Sequence, residues 1–190
     1  SGGIEPLAPP ILRVGDRVIA QTAAIVHWLG LHHGLAPSDD AGQIAALQLQ
    51  LTICDWVAEV HDTHHPLSSA LRYEDQTEAA SARARAFVAH RLPKFAGYFE
   101  RCLSDAYLLG DTCSYADLSL HYVLTGLAYA FPNAWAQQRD AHPRLEGLRE
   151  RVAERPNVAA YLASERRIPF SEGGIFRRYP ELDAPAPASS

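Results

Sequence analysis

The strand signals of this chain are confined to its first twenty residues, and helical patterns dominate the sequence from about residue 41 to residue 163. Two short β-rich runs, at about residues 11–14 and 18–20, surround Gly15-Asp16, a dipeptide typical of a two-residue hairpin turn. An apolar-periodic helix follows, with Thr22 placed to cap its start and Gly34 its end. A hairpin and one helix cannot bury their own apolar faces, so this segment needs a partner structure.

Two long helices are predicted after this first segment. Apolar residues at helical spacing predict one helix over about residues 41–64, because Pro66 ends the pattern. The second helix is predicted over about residues 75–103, and Pro93 should kink it by removing an internal hydrogen bond. We expect the two helices to pack as an antiparallel pair.

A capping box marks the start of a third long helix. Ser114 is followed three residues later by Asp117, and the apolar residues Cys113 and Leu118 flank them as a hydrophobic staple. The helix that begins here, at about residues 115–129, is apolar on nearly every side, which predicts a central, buried helix. Prolines at first-turn positions open two shorter predicted helices, over residues 143–154 and 156–163.

The composition of the chain argues against several classes of partner. Its 190 residues include 17 Lys and Arg against 22 Asp and Glu, with no basic block interleaved with aromatic residues, so no nucleic-acid partner is expected. No apolar run approaches the roughly 18 residues of a membrane span, so no membrane partner is expected either. Three scattered cysteines do not make a disulfide framework, which favours a cytoplasmic setting.

The two ends of the sequence carry expectations of their own. Because the sequence contains no Met, it does not begin at a natural start codon, and we expect further residues upstream. The low-complexity end, residues 184–190, is expected to be disordered.

Two stretches of sequence carry a family resemblance. The first combines Pro-Pro-Ile-Leu at residues 9–12 with Val-Ile-Ala-Gln-Thr-Ala-Ala-Ile at residues 18–25. The second extends from Tyr-Leu-Leu-Gly-Asp at residues 107–111 to Asp-Leu-Ser-Leu at residues 117–120. Together they closely resemble the second glutathione-binding stretch and the folding motif of the cytosolic glutathione transferases.

This resemblance implies a mainly α fold in two parts. Residues 1–36 would be a partial thioredoxin-like, glutathione-binding domain of one hairpin and one helix, and residues 41–183 the complete helical domain, followed by the tail. No residue of the sequence matches the family's thiol-activating Tyr, Ser or Cys. We therefore assign no catalytic residue and expect this chain alone to be inactive.

The resemblance also implies a function. The intact protein is expected to be a cytoplasmic, homodimeric glutathione transferase that conjugates glutathione to a small electrophile, or reduces the electrophile with it, in detoxification. Glutathione is the expected co-substrate, and no metal is expected. The alternative is a non-catalytic, transferase-like module for binding or dimerisation.

Gln21 and Thr22 are the first candidate site residues. They stand where a strand ends and a helix begins, so backbone N–H groups and the helix dipole make an anion site there. Three residues after Thr22 the chain has Ile25 rather than Glu or Gln, so no capping carboxylate occupies these donors. Spacing alone favours an ordinary N-cap, whereas the resemblance implies contact with the γ-glutamyl end of glutathione.

Pro9 and Pro10 are the next candidates. Under the resemblance Pro10 matches the family's cis-proline, and Pro9, which has a carbonyl but no N–H, stands where glutathione's cysteinyl backbone is normally bound. Two alternatives stay open. Ala8 could precede the cis bond, or both prolines could be trans and form a rigid entry to an edge strand.

Asp55 is the last candidate for glutathione binding. Some family members lend an acidic residue from this helix to the glutathione amine across the dimer interface, and Asp55 could correspond to it. A solvated aspartate on a helix surface is the simpler interpretation.

A histidine cluster occupies the end of the first long helix. His61 and His65 lie one helical turn apart, a spacing that can share a metal. No third ligand is evident, so we favour polar helix-end histidines stabilised by the helix dipole over a metal site, with lining of a cleft as a weaker third option.

Several other residues have two interpretations each. Cys54 and Cys113 are expected to be small buried hydrophobes. Trp56, Tyr73 and Tyr107 could wall an apolar pocket, but core positions are the expected places for aromatic residues at helical spacing. Residues 168–180 should pack back over the domain surface, or cover the mouth of a site.

Overall fold

The computed structural model describes residues 4–103 and 105–183 of the chain. The expectations for residues 1–3 and for the tail at 184–190 lie outside the described residues. Strand β1, Ile11–Val14, pairs antiparallel with β2, Arg17–Ala20. Gly15 has a φ of +57° in the turn between them, a conformation that glycine adopts without strain. The predicted hairpin is thus confirmed.

Eight α-helices follow the hairpin within the described residues. They are α1 Thr22–His32, α2 Asp40–His61, α3 Thr77–Ala86, α4 Leu92–Cys102, α5 Tyr115–Ala130, α6 Pro132–Ala141, α7 Pro143–Ala153 and α8 Pro156–Leu162. Short 3-10 turns lie at Tyr73–Asp75 and Pro180–Leu182. A small two-stranded sheet followed by helices confirms the predicted mainly α fold.

The caps of α1 differ from the prediction at both ends. Gln21, not Thr22, is the N-cap residue, and its side chain makes no capping hydrogen bond. At the other end the N–H of Leu35 donates to the carbonyl of Gly30 at 2.9 Å while Gly34 has a φ of +70°. That is a Schellman motif, in which the glycine stands one residue beyond the cap, His33.

Helix α2 ends at His61, three residues before the predicted end at His64. The Thr63 hydroxyl donates to the carbonyl of Val60 at 2.7 Å, and the chain turns so that the His64 side chain becomes buried. A threonine side chain that bonds a preceding carbonyl offers the backbone an alternative to continued helix. Proline at position 66 therefore does not mark the helix end itself.

The second predicted long helix is interrupted near the predicted kink. A single π-helical turn, Phe87–Arg91, joins α3 to α4 immediately before Pro93. Proline and π-helical turns are each found where a long helix departs from regular α-helical hydrogen bonding. The α-helical pattern is thus interrupted beside Pro93, while the kink itself stays a prediction.

Helices α2 and α4 run antiparallel, as predicted. Glu59, near the end of α2, accepts hydrogen bonds from Arg91, which directly precedes α4. One turn earlier on α2, Trp56 stacks on Phe95 and Phe99, with ring centroids 5.2 Å and 5.7 Å away. As the residue numbers of the contacting positions decrease along α2, they increase along α4, so the two helices are antiparallel.

Helix α5 is the central helix of the fold, as its sequence predicts. The predicted capping box is present at Ser114 and Asp117. The helix packs against α1, α2, α6 and α7, and ten of its residues are buried. Within the described residues no helix is long and apolar enough to cross a bilayer.

The predicted core aromatics are in the core. Trp56, Tyr73 and Tyr107 are buried, and none of them lines the apolar cavity between α1, α2 and α5. The segment after α8 packs back on the helices, as expected: Phe176 is 1% exposed and its ring lies where a side chain at Gly126 would stand. Gly126 is therefore the notch in α5 that holds this segment.

Candidate functional site

The start of α1 is the first element of the site. Gln21 has a φ of +69° and a ψ of 122°, a turn that points the chain from β2 into the helix. The first helical hydrogen bond joins the N–H of Ile25 to the carbonyl of Gln21 at 3.0 Å, and no side chain in the described part of the sequence caps this end of the helix. The N–H groups of the first turn thus remain as donors, and the helix dipole favours an anion there.

The prolines lie beside this helix start. Ile11 pairs with Ala20 in the hairpin, which places Pro10 next to Gln21 at the same end of the sheet. The peptide bond between Pro9 and Pro10 is cis, so neither the all-trans alternative nor a cis bond after Ala8 holds. Four of the predicted site residues therefore converge at one edge of the hairpin.

Asp55 lies apart from that edge in its contacts. It is exposed on α2, whereas its neighbours Ile53 and Cys54 face inward. Within one copy of the chain, the described contacts do not bring Asp55 to Gln21 or Thr22, so its role stays a prediction.

An apolar cavity of about 540 Å³ opens beside Thr22, between α1, α2 and α5. Its lining includes Val26 and Leu29 of α1, Ile53 and Val57 of α2, and Leu118 and Val123 of α5. A space of this size and character matches the sites that hold small apolar molecules in proteins. An anion site and an apolar cavity therefore adjoin at the start of α1.

Tyr115, the first residue of α5, closes one side of this cavity. Its hydroxyl lies 3.1 Å from Nδ1 of His27 on α1, and the two rings meet edge to face. Its backbone N–H donates to the carbonyl of Leu35 at 2.8 Å. Burial raises the pKa of the Tyr115 hydroxyl, which keeps the proton on the oxygen.

The two cysteines of interest have different surroundings. Cys54 is half-buried and lines the cavity, where the amide of Gln50 donates to its sulfur at 3.7 Å. Cys113 is buried, and this burial, with the nearby Asp117, raises its thiol pKa to about 11. Cys113 is thus the small buried hydrophobe that was expected, with little thiolate at neutral pH.

The histidine cluster was expected to consist of polar helix-end histidines stabilised by the helix dipole, but two of its members are buried. His64 is 1% exposed and His65 is 8% exposed, because the segment around Ile175 covers them. Since a carbonyl only accepts, Nε2–H of His64 donates to the Ile175 carbonyl at 2.8 Å, and Nδ1 of His64 accepts from Nδ1 of His65 at 2.6 Å. Desolvation thus outweighs the helix dipole.

Burial disfavours the charged forms of His64 and His65. It lowers the pKa of His64 to about 4, and nearby Arg177, His65 and His61 act in the same direction. Burial lowers the pKa of His65 as well. Among residues 4–103 and 105–183 no group of three potential ligands is placed to hold a metal ion. His64 reaches the cavity indirectly, because its partner Ile175 lines the wall.

Comparison with known proteins identifies the family. The family model described as "Glutathione S-transferase, C-terminal domain" matches residues 61–165, which is more than half of the chain. The chain belongs to the glutathione S-transferase family. A glutathione S-transferase of Plasmodium yoelii yoelii is 27% identical over 160 residues, covering 83% of this chain and 68% of the relative. "Glutathione S-transferase P" of Caenorhabditis elegans is 29% identical over 160 residues, covering 80% and 68%.

Solved structures agree on the fold. The prostaglandin synthase D of Nilaparvata lugens superposes with a TM-score of 0.69 at 18% identity, covering 85% of this chain and 75% of the other. A Pi-class glutathione S-transferase of Onchocerca volvulus superposes with a TM-score of 0.65 at 21% identity, covering 81% and 69%. The hairpin, α1 and the helical bundle thus have the arrangement of this family's fold.

Sequence reasoning missed two parts of the site. The cavity is formed by three helices whose meeting no local pattern signals, and the contact between His27 and Tyr115 joins residues 88 positions apart. The tyrosine itself stood inside a recognised motif, the capping box, but only its neighbours have roles in that motif.

Proposed function

We propose that this chain contributes a glutathione-binding half-site to a glutathione transferase that acts on a small apolar electrophile. Gln21 and Thr22 bind the γ-glutamyl carboxylate, and the cavity beside Thr22 receives the electrophile. The observation that carries the proposal is the uncapped start of α1, whose free donors adjoin an apolar cavity. Membership of the family supports glutathione as the anion.

The chemistry of each partner fits its place. A carboxylate is the kind of group that the first turn of a helix binds through backbone N–H groups. Pro9 adds a carbonyl but no N–H, so glutathione's cysteinyl backbone gains one hydrogen bond fewer than with another residue here. The lost bond weakens binding by about 0.5 to 1.5 kcal/mol without abolishing it.

Further parts of the proposal concern the intact protein. Residues 1–36 belong to its glutathione-binding domain and residues 41–183 to its helical domain, with the thiol-activating residue outside this sequence. The protein is a cytoplasmic homodimer, in which the exposed Asp55 reaches the glutathione amine of the other subunit. With these assignments, the intact protein conjugates glutathione to the electrophile or reduces the electrophile with it.

A non-catalytic binding module is the second candidate function. Pro9 favours it, because the residue removes a donor from the glutathione site. It predicts that the fold and the assembly of the chain survive while glutathione affinity is absent.

Calorimetric titration of glutathione into this chain and into a Thr22→Ala variant tests the proposal. Loss of one hydrogen bond from the threonine hydroxyl should weaken glutathione binding about threefold to tenfold. Because Thr22 is exposed, the unfolding midpoint should not change. Thr52→Ala is the matched control, because that hydroxyl donates within α2 to the Gln48 carbonyl, away from the helix start.

The outcomes separate the two functions. Binding that Thr22→Ala weakens and Thr52→Ala preserves supports the half-site. Absence of glutathione binding by the unchanged chain at millimolar concentration favours the module, and equal binding by all three proteins places glutathione elsewhere.

A further inference from the structure

We propose that Tyr115 is a positioning residue that fixes the orientation of α1, and through it the glutathione half-site, against the helical domain. The inference rests on the proposed function for its ligand. Its geometric support is three contacts, which the hydroxyl, the ring and the backbone N–H of Tyr115 make.

The three contacts grip different points of the α1 segment. The hydroxyl bonds His27 at 3.1 Å, and the backbone N–H bonds the Leu35 carbonyl at 2.8 Å. The ring lies against Gly30, where an added Cβ would stand 2.4 Å from the Cδ1 atom of Tyr115. Only a glycine at this position lets the tyrosine ring come so close, so Gly30 and Tyr115 form a matched pair.

Two of these points restrict the rotation of α1, which also packs against α2. His27 and Gly30 are three residues apart and therefore lie on the same face of α1. A contact at one position would restrict the rotation of α1 about its axis less. Contacts at two positions along one face restrict both its rotation and its tilt. Thr22 lies about 12 Å along the helix from Gly30 at 1.5 Å per residue, so a small tilt displaces its N–H groups.

Tyr115 can act in this way because its own backbone is rigid. It follows Ser114, whose N–H and hydroxyl both donate to Asp117 at 2.7 Å. The second oxygen of Asp117 accepts from the N–H of Leu108 at 2.8 Å. The capping box thus ties the start of α5 to the loop before it, and Tyr115 is 3% exposed on that base.

The Tyr115→Phe variant tests the role, since it removes the hydroxyl and keeps the ring. We expect glutathione to bind about threefold to tenfold more weakly, and amide hydrogen exchange in residues 22–32 to accelerate. Exchange in α5 and α7 should not change. Tyr161→Phe is the control, because Tyr161 is 43% exposed on α8 and does not line the cavity.

A double-mutant cycle separates positioning from general loss of stability. His27→Leu should weaken glutathione binding as Tyr115→Phe does, and the double variant should be no weaker than either, because one bond is removed in each case. His27→Asn, which keeps a hydrogen-bonding group near the position of Nδ1, should restore most of the affinity.

Each outcome has a distinct meaning. Faster exchange in α1 with weaker glutathione binding supports the proposal. Faster exchange in a chain that never binds glutathione supports the positioning of α1 and overturns the proposed function. Unchanged exchange in residues 22–32, or additive losses in the double variant, overturns the role of Tyr115.

Discussion

The protonation of His64 illustrates how burial decides the behaviour of a single residue. At a helix end the dipole would favour a charged imidazole. Here both ring nitrogens are hydrogen-bonded and the ring is 1% exposed, so the neutral form is favoured. Arg177 adds a like charge that opposes protonation further. The folded state therefore favours a neutral His64.

Acidification should expose this requirement as a loss of stability. Below pH 6.5 the unfolded state binds a proton at His64, while the folded state, with a His64 pKa of about 4, does not. The free energy of unfolding should therefore fall by about 2 kcal/mol between pH 7 and pH 5 from this group alone. The contribution of His64 to the free energy of unfolding is complete above about pH 6.5 and is lost as the pH falls towards 4.

Urea unfolding at several pH values checks this expectation. A His64→Asn variant lacks the titrating group and should show a smaller acid-induced loss, by about the same 2 kcal/mol. His33→Asn is the matched control, because His33 is exposed and is not among the groups that act on His64, so the acid-induced loss that depends on His64 should persist in this variant. Parallel profiles for the unchanged chain and His64→Asn would contradict the assignment.

At the scale of the elements, the carboxylates at the starts of α2 and α5 differ in how much depends on them: Asp39 is the N-cap residue of α2, and Asp117 is the third residue of α5 in its capping box. Asp39 accepts one hydrogen bond, from Gly42, at an exposed helix start. Asp117 is fully buried and accepts from Ser114 and Leu108. Burial raises the pKa of Asp117, while these donated bonds act in the opposite direction.

Removing each carboxylate should therefore have unequal effects. Asp39→Ala should destabilise the chain by about 1 kcal/mol, as for an ordinary cap. Asp117→Ala should cost about 3 kcal/mol or more, because it leaves the N–H groups of Leu108 and Ser114 buried without partners. Denaturant unfolding followed by circular dichroism measures both. Equal losses of unfolding free energy in the two variants would mean that the buried carboxylate of Asp117 stabilises the chain no more than the exposed one of Asp39.

Elements with local signals were the predictable part of this fold. The hairpin and the capping box of α5 are found where their residue patterns place them. Helix α6 was missed, although Pro132 at its first position is a start signal of the kind that marked α7 and α8. The end of α2 was overextended, because the Thr63 side-chain bond that ends it has no counterpart in apolar periodicity.

The site was predictable only where it depends on local backbone. The meeting of strand end and helix start at Gln21 follows from neighbouring residues, and the identity of the N-cap differed by one position. The cavity and its wall depend on contacts between residues far apart, such as His64 with Ile175 over 111 positions. Period and spacing do not encode such contacts, whereas resemblance to a family supplies them as expectations.

At the scale of the whole molecule, the segment after α8 closes the structure over its earlier parts. Phe176 fills the notch at Gly126, the Ile175 carbonyl bonds His64, and Tyr179 stacks on Tyr73 with centroids 3.8 Å apart. These contacts join the last described part of the chain to α5, to the end of α2 and to the turn before α3. The segment thus stabilises the packing of distant parts of the chain, and its Ile175 lines the cavity. We call these contacts of the segment the brace.

Phe176→Ala should release this brace. A buried phenylalanine cut back to alanine typically costs about 3 to 5 kcal/mol, and Gly126 offers no side chain to fill the space. Ile168→Ala, in the same segment but 86% exposed, should change stability by about 0.5 kcal/mol or less. Denaturant unfolding measures the difference, and hydrogen exchange around His64 should accelerate only in Phe176→Ala. A small loss in Phe176→Ala, equal to that of Ile168→Ala, would mean that the segment rests on the surface without supporting it.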